Sequence, residues 1–187
     1  MRIVAGDLKG RALHGPASHA TRPTADRVRE ALFSHLEARL GGLEGLRVLD
    51  AFAGTGALGL EALSRKAAFC LFVESDRSAV LVLRANSAHC DLSEERATIR
   101  VGNAFVLAPR LASYGPFDLV FLDPPYNTPA AEVFRLIEAL RREEAIRAGS
   151  YLVYEHQHRE QICWPACYDT THEARYGKTF LSCVAVL

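Results

Sequence analysis

No stretch of this 187-residue chain stays apolar for the length that a bilayer demands, because an acid or an arginine interrupts every hydrophobic run. A membrane-spanning helix is therefore not expected. The opening M-R-I-V-A-G-D-L-K-G lacks the apolar core and cleavage site of a secretory leader, so the expected compartment is the cytoplasm. Cysteine is scarce: five residues, at 70, 90, 163, 167 and 183, form an odd set without a framework spacing. That argues against a disulfide scaffold and for reduced thiols. His156, His158, Cys163 and Cys167 are zinc-compatible types, but their spacing matches no strong ligand pattern, and no metal is expected. Net charge is also absent, 22 Lys and Arg balancing 22 Asp and Glu. The imbalance is local. Residues 1–29 hold six basic side chains (2, 9, 11, 22, 27, 29) against two acids (7, 26), a pattern compatible with phosphate contact or with a solvated surface.

What is present is alternation. Strands are expected at Leu46–Asp50, Phe69–Glu74, Ala97–Val101, Phe117–Asp123 and Tyr151–Glu155. Helices are expected between them, at Ala57–Lys66, Arg77–Asn86, Ala104–Ala112 and Pro129–Arg147. Repeated strand–helix units predict an α/β fold, a doubly wound and mostly parallel sheet with helices on both faces. Tyr168–Tyr176 and Thr179–Val186, joined by Gly177-Lys178, predict an antiparallel C-terminal hairpin. In front, Arg2–Ala5 and Arg11–His14 predict a small hairpin, followed by a loop and a helix over Ala25–Leu40 with Thr24 as its N-cap. The expected division is residues 1–40 as an extension and 41–187 as the main domain.

Residues 50–61 read D-A-F-A-G-T-G-A-L-G-L-E, in which Gly54, Gly56 and Gly59 fit the dinucleotide fingerprint and Glu74 ends the next strand. Glycines let the backbone turn and approach a ligand, and the following helix aims free N–H groups at it. Two details separate this loop from a nicotinamide site. Three residues lie between Asp50 and Gly54, which makes the loop wide. A carboxylate aimed into it opposes a pyrophosphate but suits a cofactor carrying an ammonium and a sulfonium. The stretch, with Asp50, Phe52, Gly54 and Gly56, resembles the S-adenosylmethionine loop of class I (Rossmann-like) methyltransferases, and Glu74 matches their ribose-binding acid. Asn103 and Ala104 follow the third strand, where that family often contacts adenine; Asn103 is equally suited to cap a helix.

Residues 120–126, V-F-L-D-P-P-Y, form the second constellation. A residue before proline is held extended, and prolines have no N–H, so Asp123 and Pro124 present only acceptors. Such a wall suits a nitrogen bearing two N–H donors. A nucleobase amine is a poor nucleophile because its lone pair is delocalised into the ring. Bonds to the Asp123 carboxylate and the Pro124 carbonyl favour a pyramidal nitrogen and stabilise the charge that develops as a methyl arrives. Tyr126 offers a ring on which an extruded base can stack.

D-P-P-Y belongs to methyltransferases acting on adenine N6, cytosine N4 or guanine N2; protein-glutamine enzymes carry Asn in place of Asp123. Three segments, R-I-V-A-G-D-L-K-G-R-x-L, R-P-T-A-D-R-V-R-E-A-L-F and L-D-A-F-A-G-T-G-A-L-G-L-E-A-L-S-R, together resemble the RsmD family of bacterial 16S ribosomal RNA guanine-N2 methyltransferases. The likeness extends over nearly the whole chain. It implies S-adenosylmethionine as cofactor, a guanine of small-subunit RNA as substrate, assembled or partly assembled 30S particles as partner, and no obligate protein partner. Lys9, Arg11, Arg22, Arg27 and Arg29 then become candidates for RNA phosphates, each with a salt bridge as the plain alternative. An adenine-N6 enzyme on DNA or RNA is the rival. DNA enzymes of that kind usually carry a target-recognition region for which this chain has little room.

Overall fold

The computed structural model describes residues 1–15, 23–157, 162–176 and 179–187. Its strands, β1 (Arg47–Asp50), β2 (Phe69–Glu74), β3 (Ala97–Val101), β4 (Leu119–Leu122), β5 (Tyr151–Gln157), β6 (Tyr168–Tyr176) and β7 (Thr179–Val186), make one sheet ordered β3-β2-β1-β4-β5-β7-β6. β1 pairs in parallel with β2 on one side and β4 on the other, so the winding reverses between β1 and β4. Their carboxyl ends open the crevice in which such sheets bind ligands. β7 enters antiparallel between β5 and β6, as expected for the tail. The hairpin residues Gly177-Lys178 lie outside the described residues.

Strands covered on both faces show no polar side, which is why β2 and β4 read as unbroken apolar runs. Side-chain alternation sends Val48, Phe72, Phe121 and Val153 to one core, under α1 (Pro23–Leu40), α2 (Ala57–Ser64) and α3 (Arg77–His89). Leu49, Val73, Val120 and Leu152 go to the other, under α4 (Ala104–Leu111) and α5 (Ala130–Arg142).

Three helices close in the same way, without the residue that usually marks such an end. After α2, α3 and α5, the residues Lys66, Asp91 and Glu144 adopt left-handed backbone with φ of 73°, 55° and 58°. Each sits in a double hydrogen bond that closes the helix: Lys66 to Leu63 and Ala67 to Ala62, Asp91 to Ala88 and Leu92 to Ser87, Glu144 to Arg141 and Ala145 to Leu140. This is the Schellman closure, ordinarily signalled by glycine. Without that glycine, α5 was expected to run to Arg147, five residues beyond its end at Arg142. Exposed Glu144 offers a test. Glu144→Gly relieves the left-handed strain and should stabilise the fold by about 0.5–1 kcal/mol, raising Tm by ~1–4 °C in a calorimetric scan. A lower Tm would contradict the strained cap.

The front of the chain is less regular than a hairpin. Its only bridge among the described residues joins Arg2 and Ala12, flanked by bonds from Ile3 to Arg11, Gly10 to Ile3 and Leu13 to Met1. Ile3, Leu13, Phe33 and Leu36 nevertheless join the core beneath α2. α1 begins at Pro23, a residue whose fixed φ suits the first helical turn, so Thr24 lies inside the helix rather than capping it.

Candidate active site

The three glycines of the loop have different tasks. Gly54 has φ of +52°, and a Cβ there would meet nothing within 4 Å, so this side of the loop is open. Gly56 caps α2 at φ +86°, with Leu83 only 2.3 Å from where its Cβ would stand. Gly59 lets α2 lie on β2, since a Cβ would fall 2.2 Å from the Phe72 ring. The open space is therefore beside Gly54, while Gly56 and Gly59 serve packing.

Asp50 corrects one expectation. It is 2% exposed, and its carboxylate accepts the Gly59 N–H at 3.0 Å, tying the end of β1 to α2. It shapes the loop and charges it from beneath rather than projecting into the open space. Burial pushes its carboxyl up to about 7; the charge of Glu74 adds to this, and the Gly59 hydrogen bond opposes it. Glu74 ends β2 against the loop: one oxygen accepts the Gly54 N–H at 2.7 Å, the other the N–H groups of Ser75 and Asp76, each at 2.7 Å. Phe52 sits against Phe105, ring centroids 5.5 Å apart. Asn103 caps α4, its oxygen accepting the Phe105 N–H at 2.8 Å, and Ala104 is buried behind it.

Asp123 follows β4, which neighbours β1, so the acceptor corner and the glycine loop occupy adjacent strand ends. The register places Asp50 level with Phe72 and Phe121, and Phe121 level with Val153. Two residues further on stand Glu74, Asp123 and Glu155, on the same face by strand alternation; the extended backbone before Pro124 carries that alternation past the end of β4. Three carboxylates, those of Glu74, Asp123 and Glu155, thus stand level along one rim, with buried Asp50 one pleat beneath them. Burial, then the charges of Glu155 and Asp50, push the Asp123 carboxyl well above the usual carboxylate range. Pro124 is buried, and Tyr126 is 71% exposed at the outer edge of the corner.

Residues without a role in the sequence reading hold this assembly to the front of the chain. Glu61, 0% exposed in α2, accepts the N–H groups of Val4 and Ala5 at 2.8 and 3.0 Å and pairs with Arg65 at 2.9 Å and Arg29 at 3.6 Å. Asn86, also fully buried, joins His14 to the loop by accepting the His14 N–H at 2.8 Å and donating to the carbonyls of His14 and Thr55. The signal for Glu61 was a lone acid inside the apolar run L-G-L-E-A-L.

The same contacts divide the candidate phosphate ligands. Arg29 is 5% exposed, its guanidinium held by Asp26, Glu61 and the Arg2 carbonyl, so it is a buried structural cation and leaves the set. Arg11 is paired with Asp91 at 2.8 Å and bonded to the His89 carbonyl, which turns it toward α3. Lys9 and Arg27 are exposed, and Arg22 lies outside the described residues.

Known proteins resemble this chain over nearly its whole length. Residues 1–185 match the family described as Conserved hypothetical protein 95. The ribosomal RNA small subunit methyltransferase D of Buchnera aphidicola is 31% identical over 163 residues, covering 87% of this chain and 81% of that protein. The Escherichia coli K12 protein of the same name is 41% identical over 132 residues, covering 68% of this chain and 61% of its own length. Among solved structures, the Escherichia coli protein yhhF superposes with a TM-score of 0.83 at 32% identity, covering 100% of this chain and 97% of that one. The Thermus thermophilus protein TTHA0928 follows at 0.79 and 32%, covering 100% and 99%. With its class I methyltransferase fold, and with sequence likeness of this extent, the chain belongs to the RsmD family of methyltransferases.

Proposed function

We propose that this protein transfers a methyl group from S-adenosylmethionine to the exocyclic N2 amine of a guanine in small-subunit ribosomal RNA, acting in the cytoplasm on assembled or partly assembled 30S particles. The observation that carries the reading is the line of carboxylates beside a donor-free corner, at strand ends next to an open glycine loop. Relatives named as small-subunit ribosomal RNA methyltransferases support the substrate class.

The donor set fits this cofactor. Four acids repel one another and any phosphate, and a ligand bearing positive charge relieves both their repulsion and the cost of their burial. Gly54 and Glu74 would hold the nucleoside part, with Phe52 beside it and Asn103 at the adenine end. When bound, S-adenosylmethionine supplies an electrophilic methyl on a positively charged sulfur. Asp123 and the Pro124 carbonyl accept the two amine hydrogens, hold the nitrogen pyramidal and stabilise its developing charge. The surplus proton leaves to Asp123 or water. Tyr126 supplies the stacking face, and Lys9 and Arg27 remain for phosphate contact, with Arg22 and Arg11 as further candidates.

Labelled cofactor incubated with protein and with small subunits from cells lacking the activity tests this directly. N2-methylguanosine in the nuclease digest is the expected product; N6-methyladenosine would transfer the enzyme to the rival class, and no labelled base would remove the reading.

The carboxylate line also predicts a pH dependence. Asp50 and Asp123 both hold their protons to higher pH than ordinary carboxylates do. Raising the pH from 5 to 8 therefore adds negative charge that attracts a sulfonium but not a neutral thioether. The affinity ratio of S-adenosylmethionine to S-adenosylhomocysteine should rise by roughly tenfold over that range, measured by calorimetry. A ratio that stays flat would mean the acids do not sense the sulfur.

A further inference from the structure

The amine is only half of what distinguishes one base edge from another, and Glu155 stands where the other half must be read. β4 and β5 run in parallel with Leu122 level with Tyr154, so the next step sets Asp123 beside Glu155 on neighbouring strands about 4.8 Å apart. Both side chains face the same way, following Phe121 and Val153. Glu155 is partly exposed, on the far side of Asp123 from the glycine loop. The rim thus presents two carboxylates in a row to whatever base the corner holds, and the charge of Glu155 is felt at Asp123.

Base edges differ in what lies next to the amine. Beside the amino groups of adenine and cytosine is a ring nitrogen with a lone pair. Beside the N2 amine of guanine is N1–H, a donor. A second carboxylate next to Asp123 is matched by guanine and opposed by the other two, whose lone pair meets an anion. We propose, resting on the guanine-N2 reading above, that Glu155 selects guanine by accepting its N1–H while Asp123 and the Pro124 carbonyl hold the N2 amine. A carboxylate offers about four acceptor positions, so this contact is compatible with other bonds that Glu155 makes. Discrimination built this way is strong because the wrong base sets a ring lone pair against a charged acceptor rather than merely losing a contact.

The test pairs guanine with 2-aminopurine, which keeps the 2-amino group but has a bare N1. Small subunits are reconstituted with RNA carrying either base at the mapped target, and full-length wild type is compared with Glu155→Gln. The wild type should methylate guanine and leave 2-aminopurine nearly untouched. Glutamine can turn its NH2 toward a bare N1, so Glu155→Gln should lower kcat/KM on guanine by roughly ten- to a hundredfold while raising it on 2-aminopurine, inverting the preference. A positional or folding defect would lower both together, and that result overturns the proposal, as does a variant unchanged on guanine. Wild type that makes no N2-methylguanosine sinks the underlying reading instead, and Glu155 loses its role with it. Retained N2 methylation without inversion removes the Glu155 assignment alone.

Discussion

Asp123→Ala should reduce methyl transfer by roughly 10²–10³-fold, the scale seen when one preorganised group facing developing charge is removed. The loss is expected in kcat, because the carboxylate matters most when the amine nitrogen becomes positive. Binding of S-adenosylhomocysteine should change little, since its sulfur carries no charge for Asp123 to meet. Asp123→Asn keeps an acceptor without the charge, so its loss should be smaller. The pH profile separates the two contributions. Burial and the charges of Glu155 and Asp50 raise the Asp123 carboxyl, so wild-type kcat/KM should climb with pH through a midpoint above the ordinary carboxylate range. Asp123→Asn should flatten that limb. An alanine variant retaining a tenth of the wild-type rate, or a limb unchanged in the asparagine variant, would remove Asp123 from the chemistry.

The same carboxylates burden the fold. A carboxyl raised in the folded state binds its proton more tightly there than in the unfolded chain. The stability from that proton is fully present below the unfolded value of about 4 and is lost as pH rises through the folded one. For Asp50 the loss is complete above about 7. Asp123→Asn should accordingly make the cofactor-free protein more stable at pH 8 while making it a poorer enzyme. Such an opposition of stability and activity is common where a site must hold like charges close together.

Glu61→Ala should be the most destabilising single change, at about 3–5 kcal/mol, because it leaves two arginines buried with a lost partner. Arg29 and Arg65 are 5% and 8% exposed. Total stability is ordinarily about 5–15 kcal/mol, so the variant stands near the limit of folding. It also frees the amides of Val4 and Ala5 from α2, and the front segment should become the first site of proteolysis. Glu61→Gln can still accept one of those amides but cannot neutralise the guanidinium groups, and should fall between. Urea unfolding of the three proteins decides the matter; an alanine variant within 1 kcal/mol of wild type would mean that Glu61 is not the anchor of the front segment.

Reading along the chain was enough to find the strand–helix units, the glycine loop and the acceptor corner, because each is written in neighbouring residues. A buried parallel strand must be apolar on both faces, a ligand-facing turn needs glycine, and two prolines remove two donors wherever they sit. Helix ends at Lys66, Asp91 and Glu144 were not visible, since the closing residue carries a side chain where glycine is the usual sign. Arg29 looked like a phosphate ligand because a guanidinium has the same local appearance whether it meets water or Glu61. What joins Glu61 to Val4 across 57 positions, and His14 to Asn86 across 72, is the packing of the front segment on α2 and α3. The alignment of Glu74, Asp123 and Glu155 above Asp50 is likewise a property of sheet register. Periodicity and turn chemistry act over a few residues and can be read locally; a charge acquires its partner only when the chain returns to it.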